Sequence, residues 1–424
     1  MSVRRGGGKN AVYIWLAWCL AGLRRIRLLG ICKVVPPAGL HVDSFTRMSV
    51  WTAISILTAG AWAAWWFFRL RPGWLRPDPL TIPRPSVETS LRIVIPARNE
   101  AAELPGLLAA LAGEGPAGTE VVVADDGSSD GTADRAREAA ASDPRIRTVA
   151  CPPAPAGWTG KTWAMTRGAE GAAADWLLFC DADLFVAGGT LDAVLAYARE
   201  QDLDAVSVVP AMPSRCFTVN LLVACAAVSR ALLFRPAVPG KAGFVQGAFL
   251  LVRRSAYASI GGYAAVRASV TEDAALGRRL AEAGFRVRTV PRSDRVGATM
   301  YEDLEESVRG MERFSFALLQ RSLVRAAGAV LLHVVLFLLP WIALAVTLSR
   351  AYQTAAPAHA AAAAAVLVLY ACCLPLVRAA GLPIAAGLLL PLSYFGAGAV
   401  LVRSVRAHRA GRVGWKGRWY ETQP

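Results

Sequence analysis

Charged residues are scarce in this 424-residue chain, making up 18% of it, where a soluble domain carries about 25%. Acids are the scarcer sign, 31 against 46 Lys and Arg, which leaves a formal charge of +15. Histidine is almost missing, with 4 residues, and none of the 8 cysteines falls in a Cys-x-x-Cys pair or at a metal-ligand spacing. These absences argue against a zinc site and a disulfide framework, and they fit a reducing, cytosolic setting for the central region. A hydrophobic fraction of 55% excludes disorder. A chain both basic and apolar binds nucleic acid or sits in a membrane. Where the charges are missing decides between the two.

They are missing in blocks, between Arg47 and Arg69, Arg325 and Arg350, Arg350 and Arg378, and Arg378 and Arg403. Each gap is long enough for the roughly 20 apolar residues that cross a bilayer as a helix. Buried core helices are the alternative, but three such runs in succession at the C-terminal side argue against it. The expected organisation is a transmembrane helix at 48–69, a globular domain at 88–325, a C-terminal membrane domain of two or three helices at 326–402 and a basic cytoplasmic tail at 403–424. Residues 1–47 read as a basic extension. The apolar run Ala11–Leu23 is cut short by Arg24, Arg25 and Arg27, and no cleavage signal follows it. Met48 stands directly before the first long run and is the expected natural start.

Arg69, Arg71, Arg76 and Arg84 follow the first run, Arg321 and Arg325 precede the second, and Arg403, Arg406, Arg409, Arg412, Lys416 and Arg418 lie in the tail. The positive-inside rule puts all three regions in the cytoplasm. Three complete C-terminal spans would instead leave the tail outside. Either one run is re-entrant, with the Pro375–Pro383 neighbourhood the candidate, or the tail breaks the rule. Basic residues beside membrane runs account for the charge without a nucleic-acid partner.

The middle region alternates strands and helices. Leu91–Ile95, Glu120–Ala124, Ile146–Ala150, Trp176–Cys180 and Ala205–Val209 read as strands, with helical spacing at Leu104, Leu107, Leu108 and Leu111 and over Lys161–Ala173. This pattern predicts an α/β domain with a mainly parallel central sheet. In such sheets the ligand sits beyond the carboxyl ends of the strands, and that is where the polar motifs stand. Pro96-Ala97-Arg98-Asn99-Glu100 follows the first strand, Asp125-Asp126-Gly127-Ser128-Ser129-Asp130-Gly131-Thr132 the second, and Asp181-Ala182-Asp183 the fourth. Each alone passes for a turn or helix cap. Three acidic strand ends in one sheet repel one another unless compensated. A divalent cation shared with substrate phosphates is the economical compensation.

In this order, IVIPARNE, VVVADDGSSDGT, GKTWAMTRGAEGA and LLFCDADLF resemble family 2 glycosyltransferases of the GT-A fold, over roughly residues 90–325. Gln246-Gly247 and the segment through Arg254, Gly261-Gly262-Tyr263 and Thr271-Glu272-Asp273 resemble that family's acceptor side. Trp158-Thr159-Gly160-Lys161, Met300-Tyr301-Glu302 and Trp415–Tyr420 are similar to membrane glycosyltransferases of carotenoid and hopanoid pathways. The resemblance implies a nucleotide diphosphate sugar, a UDP-sugar favoured, as donor and Mg²⁺ or Mn²⁺ as cofactor. It places Pro96, Arg98, Glu100 and Asp125 or Asp126 at the nucleoside, Lys161 at the diphosphate, Asp181 at the ribose or metal and Asp183 at the metal. Asp273, beside Glu272, is the implied general base. One base and no enzymic nucleophile imply a single displacement with inversion.

Lys161 also reads as a solvated lysine at a helix start, and Thr271-Glu272-Asp273 as a helix cap. Where processive polysaccharide synthases of the family carry Gln-x-x-Arg-Trp, this chain has Gly310-Met311-Glu312-Arg313-Phe314. Arg313 and an aromatic remain, Gln and Trp are lost, and transfer of one sugar is favoured over polymer extrusion. The expected acceptor is a membrane lipid of carotenoid, hopanoid or related isoprenoid type. A carboxylate acceptor is already ionised at neutral pH, so an intact Asp273 leans towards a hydroxyl. A polyprenyl phosphate or envelope glycolipid is the enzymic alternative, and a non-catalytic membrane scaffold the non-enzymic one. Cys216–Ser229 carries no charge and is either core or an interfacial helix.

Overall fold

A computed structural model describes residues 50–81, 88–298, 301–349, 356–415 and 418–421. The extension at 1–47, Met48, Met300, Lys416 and Gly417 lie outside the described residues. Eight strands, β1 Leu91–Ala97, β2 Glu120–Asp125, β3 Ile146–Ala150, β4 Trp176–Cys180, β5 Leu184–Val186, β6 Ala205–Ala211, β7 Phe249–Arg253 and β8 Val287–Ala298, form one sheet in the order β3-β2-β1-β4-β7-β6-β8-β5. All of β4 and nearly all of β1 is buried, because apolar runs without alternation need helices on both faces. Gly168 lets the Gly160–Ala169 helix lie close on the sheet, since a Cβ there would come within 2.5 Å of Val94 Cγ1.

The pairs β1–β2, β2–β3, β1–β4 and β6–β8 are parallel, whereas β7 runs antiparallel to both β4 and β6, and β5 to β8. Reversal of β7 matters for the site. Its first residues meet the last residues of β4, with Phe249 opposite Cys180, so the segment leading into β7 reaches the edge where β1, β2 and β4 end. The five strands expected from the sequence are all present, and the sheet is mainly parallel as expected. The sequence reading did not place β5, β7 and β8. β5 is three residues long, and β8 breaks its apolar pattern with Pro, Arg, Ser and Asp.

Among the described residues, three helices are long and apolar enough to cross a membrane, Val50–Arg71, Leu323–Ser349 and Ala356–Ala379. They present bare apolar side chains such as Phe68, Val324 and Leu367. Trp62 joins the first two, its indole N–H donating to the Leu336 carbonyl at 2.9 Å and its ring meeting Phe337 edge-on at 5.1 Å. The last apolar run makes no fourth such helix among the described residues. The chain turns at Gly381, with φ at 75°, forms a short helix at Ile384–Leu388 and enters Leu390–Arg409. That final helix packs on the catalytic domain's Leu304–Leu318 helix. Ser404 Oγ accepts from the Phe316 N–H at 3.0 Å, and Arg403 pairs with Glu312 at 2.9 Å. The uncharged stretch Cys216–Ser229 forms most of the helix Phe217–Leu233, a core helix with Val219, Leu222, Val223, Val228 and Leu232 buried.

Candidate active site

The loops after β1 and β2 are sewn to one another by side chains. Asn99 adopts φ of 51°, a left-handed conformation that Asn tolerates better than most residues. Its Oδ1 accepts from the Ser129 N–H, and its own N–H donates to Ser128 Oγ, both at 3.0 Å. Thr132 Oγ1 accepts from the Glu100 N–H at 2.8 Å, and Asp130 Oδ2 from Ala101 at 3.0 Å. Asp125 accepts from the Ser128 N–H and hydroxyl, while Arg98 reaches the Asp126 carbonyl at 2.5 Å. Much of PARNE and DDGSSDGT is therefore committed to holding two loops in register. Asp126 is buried at 2% exposure, and Pro96, the penultimate residue of β1, lies opposite Ala124.

A second cluster forms where β4 ends and β7 begins. Asp181 follows β4 and donates its N–H to the Ala248 carbonyl at 2.9 Å. Lys161 Nζ lies 2.7 Å from Asp181 Oδ1 and 3.4 Å from Glu272 Oε1. The lysine is the second residue of a helix capped by Thr159, whose Oγ1 accepts from Thr162. Thr159 and Thr162 both bond the Arg267 carbonyl at 2.8 Å, which ties Lys161 to the loop that delivers Glu272 and Asp273. Those two acids open the helix Glu272–Glu282, where backbone N–H groups and the helix dipole favour negative charge. Asp273 Oδ2 accepts from the Gly247 N–H at 2.9 Å and Oδ1 from Ala274 at 2.7 Å. Gly247 has to be glycine, because a Cβ there would stand 2.9 Å from Asp273 Cβ.

The electrostatics follow from burying acids together. Burial raises the Asp183 carboxyl to about 7, helped by the negative charges of Asp181 and Glu100. Burial also raises Glu272, against the pull of Lys161, and raises Asp273, against its two backbone N–H bonds. Burial works against the Lys161 charge, but Asp181, Glu272 and Asp273 outweigh it and hold the ammonium above its ordinary value. Such a surplus of buried carboxylate suits a hard divalent cation. Asp181 and Asp183, two residues apart on one turn, are the side chains that would hold it. No cluster of three potential ligands occurs among the described residues, so the remaining oxygens would be those of water and of a bound diphosphate.

One cavity of about 560 Å³ joins this cluster to the membrane helices. Lys161, Asp181, Gln246, Glu272, Asp273 and Arg313 line one end of it. Leu222, Val223 and Ala226 from Phe217–Leu233, Phe314 and Leu318 from Leu304–Leu318, Val330, and Phe395, Ala397 and Leu401 from Leu390–Arg409 line the rest. Lys161, Asp181, Glu272, Asp273, Gln246 and Arg313, widely separated in sequence, are thus brought together. Pro96, Arg98, Asp125 and Asp126 lie outside this lining, on the β1–β2 side, with Glu100 close enough to bear on Asp183.

Two residues belong to the site without a role in the sequence reading. Ser207 Oγ, fully buried in β6, donates to the Gln246 carbonyl and accepts from its N–H, both at 2.8 Å. This fixes Gln246, whose Oε1 is buried with no hydrogen-bond partner. Tyr263 is fully buried against Phe179, with ring centroids 4.8 Å apart, and its hydroxyl has no hydrogen-bond partner. Burial and the negative charges of Glu272 and Asp273 hold it protonated well above its usual range. The serine within AVSVV, a polar break in an otherwise apolar strand, was the available signal for the first. Gly261-Gly262-Tyr263 carried the second only as part of a motif.

The 4,4'-diaponeurosporenoate glycosyltransferase of Staphylococcus haemolyticus is 37% identical over 123 residues, which are 28% of this chain and 32% of that relative. The chain therefore spans about a third of that relative's length. Among solved structures, the mannosyltransferase PcManGT of Pyrobaculum calidifontis, in complex with GDP-Man and Mn²⁺, superposes with a TM-score of 0.50 at 19% identity. That match covers 85% of this chain and 99% of the other, and it establishes a shared GT-A fold. The family described as glycosyltransferase-like family 2 matches residues 89–325. With its sheet, its acidic strand ends and more than half its length accounted for in this way, the chain belongs to glycosyltransferase family 2.

Proposed function

We propose that this protein transfers a single sugar from a nucleotide diphosphate sugar, a UDP-sugar favoured, to an isoprenoid-type membrane lipid, with inversion at the anomeric carbon. The observation that carries the proposal is a cavity whose charged end holds Lys161, Asp181, Glu272, Asp273 and Arg313 and whose remaining wall is mainly apolar and built in large part from the C-terminal helices. A sugar nucleotide is polar and an isoprenoid lipid is not, and this cavity offers one surface to each. Pro96, Arg98, Glu100, Asp125 and Asp126 hold the nucleoside. Lys161 and Arg313 meet the diphosphate. Asp273, fixed by Gly247 and Ala274, takes the proton of an attacking hydroxyl as general base, and Gln246 orients the acceptor. Asp181 and Asp183 would hold Mg²⁺ or Mn²⁺, which would supply Lewis-acid neutralisation of charge on the departing nucleoside diphosphate.

The catalytic domain at 88–325 and the tail at 403–424 lie together on the cytoplasmic side. Two complete C-terminal crossings return the chain to the side it left, in agreement with the Arg403–Glu312 pair. Loss of Gln and Trp around Arg313 favours one transfer over extrusion. Membranes containing the full chain, supplied with UDP-glucose and lipid extract, are expected to release UDP in a divalent-metal-dependent way. Activity undiminished in Asp183→Ala or Asp273→Ala refutes the mechanism.

A further inference from the structure

Three cations, Lys161, Arg230 and Arg313, line the cavity proposed to receive the acceptor, and one of them has no anion among the described residues. Lys161 is paired with Asp181 and Glu272, and Arg313 stands in the field of Glu272. Arg230, near the end of the Phe217–Leu233 helix, lines the same cavity. It pairs with no carboxylate among the described residues, and its Nε is buried with no hydrogen-bond partner. What holds it is aromatic. The guanidinium carbon lies 5.1 Å from the Trp74 ring centroid and 5.6 Å from that of Phe244. Trp74 is itself fixed by its indole N–H, which donates to the Phe234 carbonyl at 3.0 Å. Two rings orient a planar guanidinium while leaving its N–H fork unspent.

Burial without a counter-charge is costly for a cation. Here the cost is visible as a guanidinium drawn down to about 10 by burial alone. Phe244, which flanks Arg230, is two residues before Gln246 and three before Gly247, the residue that holds Asp273. Arg230, which lines the same cavity, is therefore tied by a short stretch of chain to its reacting end.

We propose that Arg230 is an acceptor-binding residue that grips an oxyanion, phosphate or carboxylate, on the head of the lipid acceptor through its N–H fork. This rests on the lipid-transfer reading and narrows it from isoprenoid-type lipids to those whose head carries an oxyanion beside the attacking hydroxyl. A carboxylate or a phosphate matches the fork in a bidentate manner, which an alcohol does not.

The test is equilibrium binding to the detergent-solubilised full chain without donor, using geranylgeranyl phosphate, geranylgeranoate and geranylgeraniol, one tail with three heads. The phosphate, the carboxylate or both are expected to bind at least about 10-fold more tightly than the alcohol, which separates the two oxyanion sources. Arg230→Gln should abolish the preference and Arg230→Lys should retain part of it. Phenylglyoxal labelling of Arg230 in the wild-type chain, read by peptide mass spectrometry, should be blocked by the preferred oxyanion lipid and not by the alcohol. This arm needs no variant to fold. Equal binding of all three heads, a preference that survives Arg230→Gln, or unprotected labelling overturns the proposal. Failure of the glycosyl-transfer reading shows elsewhere, as absence of UDP binding, and leaves these lipid measurements interpretable.

Discussion

Gly247→Ala is the smallest change that reaches the proposed base. The added Cβ would stand 2.9 Å from Asp273 Cβ and 3.6 Å from its Cγ, where ordinary contact begins near 3.4 Å. Neither neighbour yields cheaply, since Gly247 leads into β7 and Asp273 sits in the first turn of a helix. A retreat of about 0.5–1 Å stretches the 2.9 Å bond from the Gly247 N–H to Asp273 Oδ2 beyond useful length. Losing a bond to a charged group costs about 1.5–3 kcal/mol, of which the half-buried setting keeps the lower end. Displacing a catalytic group by about 1 Å costs about 10²-fold in rate. The expected outcome is a kcat for nucleotide release lowered about 100-fold, with donor KM changed less than about 3-fold. Gly106→Ala is the control. Its Cβ meets nothing within 4 Å on an exposed helix face, and it should leave kcat unchanged. Wild-type kcat in Gly247→Ala, or a loss confined to donor KM, would refute the geometric reasoning.

Four further outcomes follow from the same site. Lys161→Met leaves Asp181 and Glu272 without their cation, and removing one partner of a buried pair costs about 3–5 kcal/mol; with both groups partly exposed, a thermal shift at the low end is expected, partly recovered by Mn²⁺. Ser207→Ala frees both backbone groups of Gln246, at about 1 kcal/mol for each lost bond, and should raise acceptor KM more than it lowers thermal stability. Ala397→Trp fills the apolar wall and should abolish lipid glycosylation while UDP binding, measured by calorimetry, persists. Removal of divalent cations by chelation should abolish transfer and be reversed by Mg²⁺ or Mn²⁺.

The strands that could be read from sequence were those buried on both faces, such as LRIVIPA and WLLFC, where every residue carries the same message. β8 could not be read, since its Pro, Arg and Ser are tolerated only because the sheet has curled there to meet β5 and β6. Acidic motifs at strand ends announced the charged end of the site, and Asp181, Glu272 and Asp273 do converge. Convergence could not tell which motif residues face a ligand and which face one another. Ser128, Asp130 and Thr132 bond the neighbouring loop, a use that turn propensity alone suggests. Arg230 gave no signal, because an arginine after an apolar run reads as a helix flank until the two rings beside it are seen.

The final helix, Leu390–Arg409, alters how this protein can be divided. Anchors of many membrane enzymes can be cut away to leave a soluble catalyst, but here Phe395, Ala397 and Leu401 form one side of the cavity proposed to receive the acceptor. A fragment ending at Arg325 would keep the sheet, the acids and Lys161 while losing that side, so it would be a sugar-nucleotide binder with an open flank. Water entering there would meet the donor first, and such a fragment should waste its sugar by hydrolysis rather than deliver it. The C-terminal segment thus acts less as a tether than as the door frame of the reaction chamber.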